Sequence, residues 1–75
     1  MKSSKEFNIL LFQSIHQVMR AENIISKCGL SYQIIPVPSE YSSECGMCIE
    51  IDSSIITIII PELQKYNIEP KVVKR

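Results

Sequence analysis

Cys45, Gly46 and Cys48 stand together in the stretch Ser42-Ser43-Glu44-Cys45-Gly46-Met47-Cys48, and this is where the chain gathers groups able to do chemistry. The thiolate is the form of cysteine that attacks, binds metal or accepts a further sulfur atom. A loop cysteine beside Gly46, which has no side chain to shield it and is free to adopt unusual backbone angles, suits such a role. Two thiols at Cys-x-x-Cys spacing could also close into a disulfide, with Cys48 resolving a persulfide or sulfenic acid on Cys45. His16, when protonated, would favour a nearby thiolate, although a free imidazole is mostly neutral at pH 7. Adding Cys28 and His16 to the pair gives the count of a three-cysteine, one-histidine zinc site. The expected positions do not meet, because Cys28 and His16 fall at opposite ends of one helix, so no metal site is expected.

The elements that must position these groups follow from the periodicity on either side. Pro36-Val37-Pro38 cannot continue a helix or donate fully to a ladder, so the chain turns there. Met47, Ile49 and Ile51 then alternate with Cys48, Glu50 and Asp52, the period of a half-buried strand, which puts the cysteines where a loop enters a strand. Upstream, Phe7 to Gln13 is apolar on both faces and predicts a central strand. Ser14 and Gln17 give a Ser-x-x-Gln capping box at the start of a helix. Val18, Ala21, Ile25 and Cys28 are expected to face the sheet from that helix, Gly29 to stop it, and Cys28 to be a core residue beside the cap. Ser31 to Val37 reads as a second strand, and Leu10 and Phe12 could leave an apolar patch on a helix-free face of the sheet, the usual mark of a partner.

Residues 54–66 read two ways. Their run of β-branched residues up to Pro61 suits a strand followed by a short helix, whereas the order of elements and the stripe Ile56, Ile59 or Ile60, Leu63 and Tyr66 suit a helix kinked near Pro61. The helix is preferred. Asn67 then caps it in the left-handed region, and Ile68 to Lys74 forms a last strand whose Pro70 suits an edge. The expectation is an α+β, ferredoxin-like β-α-β-β-α-β two-layer sandwich with an antiparallel sheet, in which Ser14, Ile15 and His16 come close to Cys45.

At 75 residues the chain is expected to be a single domain, 1–75, with 1–6 and 74–75 frayed. Eight basic and eight acidic residues cancel, so no global field draws it to nucleic acid or an anionic membrane. No apolar run approaches the roughly 18 residues that span a bilayer, and no export signal is visible, which gives a cytoplasmic expectation. An odd number of cysteines argues against a disulfide scaffold. No Gly-rich phosphate loop, carboxylate pair or Ser/His/Asp set appears, so no cofactor is expected.

Ser14-x-His16, Ala21-Glu22, Pro36-x-Pro38 and Ser42-Ser43-Glu44-Cys45-Gly46 together resemble the small selenium/sulfur carrier-like family of short cytoplasmic bacterial domains. Ser39 stands where that family usually has a basic residue, and Cys48 where it often has a small apolar one. The resemblance implies a non-enzymatic carrier that holds sulfur or selenium on Cys45 and exchanges it with donor and acceptor proteins. Two alternatives stay open: a thiol redox module cycling a Cys45–Cys48 disulfide, and a plain interaction domain whose cysteines are incidental. The alternation puts Cys48 on the face away from the helices, where it could instead pack at the surface of a homodimer.

Overall fold

The computed structural model describes residues 6–41 and 46–74. In chain order these form β1 (Phe7–Leu11), α1 (Ile15–Lys27), β2 (Gln33–Pro36), β3 (Met47–Asp52), a short 3-10 turn (Ser53–Ile55), α2 (Ile56–Gln64) and β4 (Lys71–Lys74). The strands make one sheet of order β2-β3-β1-β4 with every neighbouring pair antiparallel, an α+β arrangement compatible with a two-layer sandwich.

β3 has the bounds that its period of two requires. α1 begins where Ser14, in an extended conformation, accepts a hydrogen bond on Oγ from the Gln17 amide at 3.3 Å. Both helices end in the same way. Gly29 at φ 75° and Asn67 at φ 62° take the left-handed position. The amides of Leu30 and Ile68 reach back to the carbonyls of Ile25 and Leu63, and those of Gly29 and Asn67 to the carbonyls of Ser26 and Gln64. This is the Schellman pattern, with its apolar contact between the returning residue and the last turn. It explains a correction: Cys28 is the C-cap of α1 and is exposed, because the returning chain brings Leu30, not Cys28, over the end of the core.

Residues 53–64 are helical despite their β-branched residues. Asp52 Oδ1 accepts from the Ser54 amide at 2.9 Å to start the 3-10 turn, and Ile59 and Leu63, one turn apart, are fully buried with Ile56 and Ile60 packed beside them. Burial of that stripe outweighs the local preference for strand. Tyr66, expected to extend the stripe, is half exposed. β2 and β4 are shorter than expected. Pro70, which has no amide hydrogen, immediately precedes β4, which forms one edge of the sheet.

The register assigns the two faces. Leu10, Ile49, Ile51 and Phe12 pack with Val18, Ala21 and Ile25 of α1 and with Ile59 and Leu63 of α2, so both helices cover one side. On the other side, a row at one end of the sheet reads Lys71, Leu11, Cys48, Ile35, and the next reads Val73, Ile9, Glu50, Gln33. Leu10 and Phe12 therefore do not lie on the helix-free face, as expected from sequence, but beneath the helices; β1 is apolar on both sides, and it is Ile9 and Leu11 that face away.

Candidate functional site

The loop between β2 and β3 starts and ends at the end of the sheet where β1 leads into α1. Pro36 pairs with Met47, and Cys48 pairs with both Ile35 and Leu11. Three residues, Phe12 to Ser14, separate Leu11 from the first turn of α1. The amide of Val37 donates to the Gly46 carbonyl at 3.1 Å and closes the loop at its base. Gly46 itself has φ 76°, the left-handed region, and a side chain built there would meet nothing within 4 Å. The constraint on this glycine is therefore its backbone conformation, in open space.

Cys45, the residue just before this pinned and exposed glycine, lies outside the described residues, as do Ser42, Ser43 and Glu44. His16 is exposed in the first turn of α1, on the helix side of the sheet. Cys48 is fully buried on the opposite side, so the structure does not bring those two side chains together. Its Sγ lies 3.8 Å from the Pro36 carbonyl, to which the thiol donates. Cys28 is exposed at the C-cap of α1, twelve residues or about 18 Å along the helix axis from His16. Among the described residues no three His, Cys, Asp or Glu side chains form a group that could hold a metal ion.

What buries Cys48 is the loop itself. Val37 and Tyr41 pack on the cluster of Ile9, Leu11 and Cys48, joined by Ile35 and Val73 at the two sides. Tyr41 reaches across to the opposite edge strand, where its Oη donates to the Lys74 carbonyl at 2.8 Å. Residues 37–41 are thus a strap over the helix-free face, internally turned by the hydrogen bond from the Tyr41 amide to the Pro38 carbonyl at 3.0 Å. Sequence reasoning missed this. The signal was Tyr41, an aromatic ring alone in the polar run Ser39-Glu40-Tyr41-Ser42-Ser43-Glu44, which needs apolar surface to rest on. Cys48 is accordingly covered by its own chain and has no need of a second copy to cover it.

A sheet with two helices on one side and, at one end, a proline-rich loop returning through Cys-Gly into its third strand is the scaffold of a small thiol-bearing protein. The chain belongs to the family described as "Putative Se/S carrier protein-like", whose model matches residues 7–74. No curated protein and no solved structure matches it. No helix of the described residues is long and apolar enough to cross a membrane.

Proposed function

We propose that the protein is a sulfur or selenium carrier whose Cys45 thiolate takes a chalcogen atom from a donor protein and gives it to an acceptor. The reading is supported above all by the family match and by Pro36 and Gly46, from the stretches that carry the resemblance, standing at the two ends of one loop closed at its base by the Val37–Gly46 hydrogen bond. The β-α-β-β-α-β order of elements, with β1 and β3 central, supports reading the fold as ferredoxin-like, which puts the start of α1 at the same end as this loop. The positive end of the helix would then favour the anion at Cys45. Cys28, exposed at the C-cap of α1, lies at the other end of the helix from the loop.

Transfer needs no outside oxidant. The Cys45 thiolate attacks the terminal sulfur of a donor persulfide, a new S–S bond forms on Cys45, and the donor's own S–S bond breaks to release its thiolate. Attack on that terminal sulfur by an acceptor nucleophile reverses the process and returns the Cys45 thiolate. Cys48 is fully buried when the loop is closed, which favours a carrier that works through Cys45 alone over a module that exchanges a Cys45–Cys48 disulfide.

Intact-protein mass spectrometry after incubation with a persulfide donor tests the proposal. Wild type, Cys28→Ser and Cys48→Ala are expected to gain one sulfur per chain, and Cys45→Ser none. A loss of two hydrogens requiring Cys45 and Cys48, with no adduct, would replace the carrier by the redox module.

A further inference from the structure

We infer that the strap of residues 37–41 is a latch that opens independently of the rest of the fold, and that it governs access to a concealed thiol, Cys48. This holds whether or not Cys45 carries sulfur. The sheet below is held by ladders on both sides of β1 and β3, and the helix layer by the larger of the two apolar clusters. Among the described residues the strap's hold is much smaller. Val37 and Tyr41 are each only partly buried, and the hydrogen bond that ties the strap to the far edge, from Tyr41 to the Lys74 carbonyl, is exposed to water. Segments held by few apolar contacts and solvent-exposed hydrogen bonds open locally at a lower free energy than the whole domain. The Val37–Gly46 bond at the loop base is the point about which residues 38–41 can lift.

The closed strap and a modified Cys48 exclude each other. Cys48 has no exposed surface and is flanked by Leu11 and Ile35 in the sheet, with Ile9 in the same cluster, so an added group on Sγ has no room in a close-packed layer. A group bound only by the open form shifts the equilibrium toward it. Cys48 therefore reports the position of the strap, since a thiol reagent reaches its Sγ only when residues 38–41 lift.

Alkylation of the full chain by iodoacetamide tests this, in a Cys28→Ser/Cys45→Ser background where Cys48 is the one thiol. Attack by its thiolate forms the S–C bond and expels iodide. Labelling is expected under native conditions with only weak dependence on low urea, and about three- to tenfold faster in Tyr41→Phe, which keeps the ring and loses one hydrogen bond. Tyr32→Phe, a hydrogen-bond deletion away from the strap, controls for stability and is expected to leave the native labelling rate unchanged. In the alkylated protein, amide exchange at Tyr41 should lose protection while Leu10 and Ile49 keep theirs. Equal rates with and without the Tyr41 hydroxyl, labelling whose urea dependence matches that of global unfolding, or no labelling at all would each overturn the latch.

Discussion

Gly46 sets the backbone at the point where the loop returns to β3, and its φ of 76° is a conformation that an L side chain adopts at a cost of about 1–2 kcal/mol. Because nothing lies near the missing side chain, that backbone term is the whole effect. Gly46→Ala is expected to lower the unfolding free energy by about 1 kcal/mol, and Gly46→Asn by less, in urea titrations. Cys48 poses a different problem. The thiol-to-carbonyl distance of 3.8 Å suits sulfur and is beyond a hydroxyl, whose shorter C–O bond leaves it further away. Cys48→Ser puts a polar hydroxyl into a buried apolar cluster, with an expected loss of about 1–3 kcal/mol, whereas Cys48→Ala loses only the sulfur's packing, about 1 kcal/mol. Chemical denaturation of the two variants checks the order. The alanine variant is for this reason the sounder control in sulfur-transfer assays.

At the scale of elements, α1 depends on its first turn. Ser14→Ala removes the acceptor for the Gln17 amide and is expected to cost about 1 kcal/mol, measurable as a lower urea midpoint. Pro61 lies inside α2, where it cannot donate to the carbonyl one turn back, and it is exposed, so no packing is lost on its removal. Pro61→Ala is expected to raise stability by about 1 kcal/mol, the restored hydrogen bond being partly offset by a freer unfolded chain. Loss of stability instead would mean that the fixed φ of the ring helps to seat Leu63. These elements were legible to different degrees for physical reasons. β3 and the Ser14 cap are written locally, one as an alternation and the other as a residue type beside a helical stripe. β1 is apolar on both sides, so its sequence carries no sign of which residues lie under the helices, and Leu10 and Ile9 exchange roles on that account. The exposure of Cys28 turns on the path after the cap, where Leu30 folds back. The strap depends on a contact between residues 33 positions apart, Tyr41 and Lys74, which no local pattern encodes. Of the candidate site, the loop ends, Gly46 and the placement of Cys48 on the face opposite Ile49 and Ile51 were readable; the cover that buries Cys48 was not.

For the whole molecule, two interactions link stability to alkaline pH with the same sign. The Tyr32 hydroxyl donates to Glu22 Oε2 at 2.9 Å, tying α1 to the segment before β2. That hydrogen bond raises the pKa of Tyr32, helped by desolvation and the Glu22 charge and opposed by Ser26. Lys65 is likewise raised, first by its hydrogen bond to Glu62 at 3.0 Å and then by the Glu62 charge. Each group holds its proton more tightly folded than unfolded. Its stabilisation is therefore complete below the unfolded values, near 10 for tyrosine and 10.4 for lysine, and is lost as pH rises through the folded ones. Both side chains meet solvent, so the effects are modest, and the Lys65–Glu62 pair should weaken further in salt. Comparing Tyr32→Phe with wild type isolates the tyrosine from the other groups that titrate in this range. The wild type is expected to be the more stable from pH 7 to about 9.5, with the gap in urea midpoint closing above pH 10 as the wild-type phenol ionises beside the Glu22 carboxylate. A gap that stays constant through pH 11 would show that the Tyr32 hydroxyl and Glu22 are not coupled in solution. It would leave the anchoring of α1 to β2 to apolar packing alone, since Ile24, Leu30 and Ile34 lie against the same core.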